Sequence, residues 1–294
     1  IFIQGELEET MRLLNFMSAE GSRLGLESGD EVIDLTAGGL PTTLDELLQS
    51  GKNLTASVKA AADASTKRLP LADIDYLPPI LNCAKAIAVG LNYVDHAAES
   101  KFDPPEYPVL FNRYPSSWVG HDKPIIRPHI SDKFDYEGEL AVVIGKAGRY
   151  ISKEDALSHV AGYSVFNDGS IRDYQTKSAQ WMMGKNFDNS GSFGPVFVTA
   201  DDLPEGATGL KLQTRLNGEV MQSASTDQMI FDVATLIALI SEAFELVPGD
   251  VIISGTPAGV GAARKPQVFM KPGDICEVEI EGIGILSNTI ADEN

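Results

Sequence analysis

The sequence predicts a β-rich α+β protein, a sandwich or roll rather than a doubly wound sheet, on three observations. Short strand-like runs dominate beyond residue 78: AKAIAVG, PVLFNR, LAVVIG, YSVFND, PVFVTA, LKLQTRL, VIISG and DICEVEIEG. Explicit turns separate them, among them Asn217-Gly218 between alternating runs and Pro-Gly-Asp at 248–250 and 272–274. Helical patterns are few and do not alternate with the strands as a parallel sheet requires.

In chain order, residues 1–10, IFIQGELEET, read as a tag or extension ahead of Met11. Residues 11–78 read as a small N-terminal α+β domain. Its short strands are broken by Gly-Ser and Ser-Gly-Asp turns, TTLDELLQS places Leu44, Leu47 and Leu48 at helical spacing, and a second helix fits between Lys52 and Arg68. The proline-bearing LPLADIDYLPPI connects it to the main domain, 79–294. There, Ser152 with Asp155 resembles a capping box ahead of EDALSHV. Asp232 can cap VATLIALISEAF, which is apolar on nearly every face and is therefore expected to be buried.

Composition narrows the function. With 42 acidic against 23 basic residues the net charge is −19, which repels phosphate backbones and argues against nucleic acid. No apolar run approaches the roughly 20 residues of a membrane helix. Cys83 and Cys276 show no zinc or disulfide spacing, which suggests a reducing compartment, taken as the cytoplasm.

The stretch DYEGELAVVIGK, 135–146, carries the clearest chemistry. On a strand, alternate side chains share a face, so Glu137 and Glu139 address one site at the mouth of an apolar, buried run. Two like charges there repel unless something neutralises them, and a hard divalent cation with oxygen ligands would do so. Asp168, before a glycine in YSVFNDGS, offers a third carboxylate, although Asn-Asp-Gly-Ser is equally ordinary turn chemistry. His96 stands three residues before Glu99 in GLNYVDHAAES; taken alone it reads as a surface-loop histidine, and Lys185 of MGKNF as a surface lysine.

GLNYVDHAAES, DYEGELAVVIGK, YSVFNDGSIRDYQ, MGKNFDNSGSFGPVFV, LNGEVMQ and PGDVIISGTPAGVG, in that order, resemble the fumarylacetoacetate hydrolase family over about residues 80–290. RYPSSWVGHDKP is similar to the branch labelled 2-hydroxyhepta-2,4-diene-1,7-dioate isomerases. The resemblance implies a mixed β-sandwich roll, a homodimer, and Mg²⁺ or Mn²⁺ (Ca²⁺ in a crystal) held by Glu137, Glu139 and Asp168. It implies that Glu99 orients His96 to activate water and that Lys185 lies near a substrate carbonyl or carboxylate. Arg172 and Gln175 align with substrate-contacting side chains, and Arg113 and Ser117 would complete specificity. Thr256, in the glycine-rich SGTPAGVG loop, is expected where backbone N–H groups can address a carboxylate. That loop lacks the P-loop pattern, so nucleotide binding is unsupported. Asn92 and Tyr93 stand near the place of a further metal-binding aspartate in the acetoacetate-cleaving branch, which implies a three-carboxylate site and argues against fumarylacetoacetate itself.

The activity these expectations favour is hydrolysis of 2,4-dioxo acids, of acylpyruvate or fumarylpyruvate type, to pyruvate and a carboxylic acid. The alternatives are decarboxylation or keto-enol tautomerisation of a 2-oxo diacid such as oxaloacetate at the same site and, more remotely, a catalytically dead metal-binding scaffold.

Overall fold

A computed structural model describes residues 10–99 and 103–293. Nine of the ten residues read as an extension, and Ser100 at the end of the histidine motif, lie outside them. The architecture is mixed α+β and strand-rich. A 12-stranded sheet runs from edge to edge through Arg68–Pro70, Glu31–Asp34, Gly21–Ser28, Arg12–Ser18, Gly191–Thr199, Val160–Asn167, Gly138–Ile144, Val251–Ile253, Ala86–Gly90 and Val109–Asn112, with two short strands pairing off this path. A five-stranded sheet, Glu219–Ser225, Lys211–Leu216, Ile275–Ile280, Gly284–Asp292 and Ile125–Arg127, packs on its middle.

Burial explains the middle of the large sheet. Every residue of Gly138–Ile144 and of Gly191–Thr199 is buried, so these strands are covered on both faces rather than alternating between core and solvent. One face carries Leu140, Val142 and Ile144 into a core shared with Leu212, Val278 and Ile280 of the smaller sheet. The other carries Ala141 and Val143 towards Leu44, Leu47 and Val58 of the N-terminal helices. Gly138 permits a close approach of the two sheets, because a Cβ there would collide with the Thr214 hydroxyl and Val278.

Residues 11–78, expected as a small N-terminal unit, extend this same sheet: Arg12 pairs with Val198 and Leu13 with Phe197. Leu13 and Leu14, on opposite faces, are both fully buried, so this strand is sealed from either side. The proline-bearing connection also contributes a strand, Asp75–Leu77, paired with Asn15–Met17. The expected helices form at Leu44–Gln49, Leu54–Ala64 and Val233–Ala243, the last capped by Asp232 accepting from Thr235 N, with no residue exposed from Val233 to Ser241. EDALSHV does not become an α-helix. Ser152 and Asp155 do bond each other, but the strand beginning at Val160 leaves room only for the 3₁₀ turn Ala156–His159. Among the described residues no helix is long and apolar enough to cross a membrane.

Candidate active site

The site is assembled where the two central strands begin and end. Gly138 lies opposite Asn167 in the ladder, so Glu137 and Glu139 flank the same level at which the neighbouring strand releases Asp168 into its turn. Backbone bonds fix that level: Asp168 N donates to Glu137 O at 2.8 Å, and Glu137 N donates to the Asn167 side chain at 3.1 Å. One carboxylate oxygen from each of Glu137, Glu139 and Asp168 lies within 4.8 Å of the others, at 4%, 1% and 0% exposure.

Buried like charges of this kind need compensation. Lys185, 1% exposed, donates to Glu137 Oε2 at 2.5 Å and Asp168 Oδ2 at 2.6 Å. Arg172 pairs with Glu137 Oε1 at 2.7 Å and with Asp135 Oδ2 at 2.8 Å, and Arg113 binds Asp168 Oδ1. Among the described residues Glu139 has no ion-pair partner of its own; it accepts from Gly255 N at 2.5 Å. The two glutamates therefore diverge. Burial pushes Glu137 up, but Lys185 and Arg172 outweigh it and bring its carboxyl to about 2. Burial, then the charges of Asp168 and Glu137, hold Glu139 well above the ordinary carboxylate range. Three buried, hard oxygen donors, one of them charged only at a cost, fit a divalent cation of the Mg²⁺, Mn²⁺ or Ca²⁺ class better than zinc.

The acid-base candidates stand on the other wall. Helix Val94–Glu99 follows strand Ala86–Gly90 and brings His96 Nδ1 to 2.8 Å from Glu99 Oε1. Glu99 is anchored in turn by Gly259 N, which reaches its two oxygens at 3.1 and 3.0 Å. His96, Glu99, Glu137, Glu139, Arg172 and Lys185 all line one cavity of about 310 Å³. Phe111 and Trp181, 5.7 Å apart in an edge arrangement, form its apolar side. Gln175 also lines it, accepting from Arg172 at 3.0 Å, while Arg172 Nη2 is buried without a partner among the described residues.

Other expected residues take different places. Arg113 and Ser117, expected at the substrate, stand behind Asp168. Arg113 gives its donors to Asp168, Gly169 O, Ser117 Oγ and Ser117 O, and neither residue lines the cavity. Thr256 lines the cavity, but its hydroxyl donates to Gly138 O at 3.0 Å and accepts from Gln222 at 2.8 Å. The glycine-rich loop does aim N–H groups at carboxylates, and those carboxylates belong to Glu139 and Glu99 of the protein itself. Asn92 spends its amide on Ser254 O, Phe231 O and Phe231 N, so it serves the backbone.

Sequence reasoning passed over Asp135, which gathers Arg172 and the N–H groups of Gly261 and Ala262. The signal was present, since Asp135, Glu137 and Glu139 alternate. Phe111 and Trp181 carried no comparable signal.

The profile of the fumarylacetoacetate (FAA) hydrolase C-terminal domain matches residues 85–291. The chain belongs to the fumarylacetoacetate hydrolase family. Within this family it is 42% identical, over 96% of its length and 90% of the relative's, to a mitochondrial oxaloacetate tautomerase of Xenopus laevis. The fumarylacetoacetate hydrolase from Exiguobacterium antarcticum is 39% identical and superposes with a TM-score of 0.86, covering 97% of this chain and 100% of the other. A 2-hydroxyhepta-2,4-diene-1,7-dioate isomerase from Mycobacterium marinum, 32% identical with a TM-score of 0.77, covers 97% of this chain and 100% of its own. Fumarylacetoacetate hydrolase family members thus share both the fold and, in the Xenopus relative, nearly the whole chain.

Proposed function

We propose that the protein is a divalent-metal-dependent enzyme of small 2-oxo diacids that interconverts the enol and keto forms of oxaloacetate. The observation that carries this reading is the single cavity shared by the His96–Glu99 pair, the carboxylates of Glu137 and Glu139, and the cationic Lys185 and Arg172, with the Asp168 carboxylate clustered beside the two glutamates and bonded to Lys185. The likeness to the Xenopus tautomerase supports the choice of oxaloacetate over the hydrolysis that the sequence motifs favour.

Tautomerisation needs one proton moved between the C2 oxygen and C3, with no atom gained or lost. With Glu99 accepting at Nδ1, that nitrogen carries the ring proton and Nε2 keeps its lone pair, so His96 takes a proton from one end of the substrate and returns one to the other. Glu99 stabilises the imidazolium formed in between. Lys185 and Arg172 supply N–H donors to the negative oxygens of the enolate and the flanking carboxylates. Glu137, Glu139 and Asp168 would hold a divalent cation, which would supply Lewis acidity for the same developing charge. Phe111 and Trp181 keep one side of the cavity apolar, which strengthens these interactions.

A second reading, hydrolysis of acylpyruvates, is favoured by the Glu99-anchored histidine, because the same base can activate water. One experiment separates the two. The enol absorbance of oxaloacetate is followed beside acetylpyruvate and fumarylpyruvate, with Mg²⁺, Mn²⁺ or EDTA, while pyruvate is assayed. Metal-dependent enol relaxation without pyruvate is the expected result. Loss of the dioxo acids with stoichiometric pyruvate would establish the hydrolase, and pyruvate from oxaloacetate would establish a decarboxylase.

A further inference from the structure

We infer that Gln222 is a positioning residue whose single side-chain amide sets the metal carboxylates and the His96–Glu99 pair relative to one another. Gln222 stands on the smaller sheet, opposite Thr214, at 1% exposure and outside the cavity lining. Its Oε1 accepts from Gly138 N at 3.0 Å and from Thr214 Oγ1 at 2.7 Å. Its Nε2 donates to Thr256 Oγ1 and to Pro257 O, each at 2.8 Å. A primary amide offers two acceptor sites and two protons, and all four are used.

The partners give this saturation its meaning. Gly138 is the residue between Glu137 and Glu139. Thr256 and Pro257 belong to the loop whose Gly255 N holds Glu139 and whose Gly259 N holds Glu99. One side chain therefore ties the segment bearing Glu137 and Glu139 to the loop that holds Glu139 and orients the histidine's partner Glu99. Thr256 closes the circuit by donating to Gly138 O. The pairing of Gly138–Ile144 with Val251–Ile253 reaches only Ala141 and Ile253 and is extended by Ser254 N donating to Leu140 O, so Gly255 to Gly259 lie beyond it. The inference rests on reading Glu137, Glu139 and Asp168 as a cation site, and outer partners of this kind typically change metal affinity by about 10- to 100-fold.

The test uses Gln222→Met, which removes all four bonds, and Gln222→Glu, which keeps the acceptor half and loses the donor half. Asn288→Leu serves as a control of similar burial, because Asn288 bonds Gly120 O and Lys123 O on the far side of the smaller sheet. Mn²⁺ affinity, amide hydrogen exchange at Gly255 and Gly259, and kcat and KM on oxaloacetate are measured on the full chain. Gln222→Met is expected to weaken Mn²⁺ about tenfold or more, to speed exchange at both glycines, and to lower kcat more than it changes KM. Gln222→Glu is expected to speed exchange at both glycines, which keeps the inference open to test if the methionine variant does not fold. Asn288→Leu is expected to lose thermal stability with all of these readouts at parent values. Folded Gln222 variants with parent Mn²⁺ affinity and parent exchange would overturn the inference. A parent protein inactive on oxaloacetate, whose Mn²⁺ affinity and glycine exchange still respond to Gln222, would sink the tautomerase reading and leave the positioning role standing.

Discussion

Lys185 donates to Glu137 across 2.5 Å from a side chain that is 1% exposed. The ammonium bonds two of the three carboxylates at once, which is the same service a bound cation performs. Lys185→Met leaves those charges buried without that partner, and removing one member of a buried pair costs about 3–5 kcal/mol. The variant is therefore expected to unfold at much lower urea in EDTA. Saturating Mn²⁺ should restore more stability in Lys185→Met than it adds to the parent, since a ligand at 100 times its Kd contributes about 2.7 kcal/mol. Equal metal-induced shifts in the two proteins would show that Lys185 and the cation do not share this electrostatic role.

The opposite behaviour of the two glutamates gives a pH prediction. Glu139 is held above its ordinary 4.5, so its contribution to stability is present at low pH and is lost as pH rises through its folded value. Glu137, lowered to about 2, contributes stability above 4.5 that is lost as pH falls towards 2. Glu139→Gln keeps an acceptor for Gly255 N and removes the charge. In EDTA it should be more stable than the parent at pH 8, and the difference should close as pH approaches 4.5. The same variant should show no Mn²⁺-induced rise in unfolding temperature. Urea titrations at four or five pH values measure the first effect, and thermal melts with and without Mn²⁺ measure the second.

The carboxylates were legible in the sequence because strand periodicity is local: the alternation of Glu137 and Glu139 needs only the strand, and Asp168 only its turn. The hairpin at Asn217-Gly218 was legible for the same reason, with both residues at positive φ, 52° and 81°. Partnerships across the chain were not. Glu99 meets Gly259 at a separation of 160 residues and Arg113 meets Asp168 at 55, and no local pattern encodes either. The strand Gly284–Asp292 escaped notice because Asn288 occupies the middle of its inward face, between Leu286 and Ile290, where an apolar residue would have completed the alternation. The pairing of Arg12–Ser18 with Gly191–Thr199 was hidden because either strand alone reads as a two-faced apolar run with any partner.

His96→Gln tests the proton carrier apart from the metal site. Glutamine keeps a polar side chain of similar reach but cannot hold a proton at neutral pH. Loss of a positioned general acid-base group typically costs about 10²- to 10⁴-fold in rate, and His96 is not among the three carboxylate-bearing residues. The expected result is a drop of that size in kcat with Mn²⁺ affinity within about threefold of the parent, a margin set by the context dependence of such contacts. An unchanged kcat would remove His96 from the mechanism.

Gly90 and Trp181 supply a test of the cavity wall. A Cβ at Gly90 would collide with the six-membered ring of Trp181, so the missing side chain is what admits the indole to the cavity edge beside Phe111. Gly90→Ala should push the indole off that edge. Overpacking of this kind costs about 1–3 kcal/mol, and misplacing a positioning group by about 1 Å can cost about a hundredfold in rate. The variant is therefore expected to lose activity mainly through KM and kcat/KM, with Mn²⁺ affinity preserved because the carboxylates are carried by other segments of the chain. Tryptophan fluorescence of the variant reports the displaced ring directly. Restoring room with Gly90→Ala combined with Trp181→Phe should recover part of the lost kcat/KM. If the double variant is no better than Gly90→Ala alone, the collision with Trp181 is not the cause of the defect.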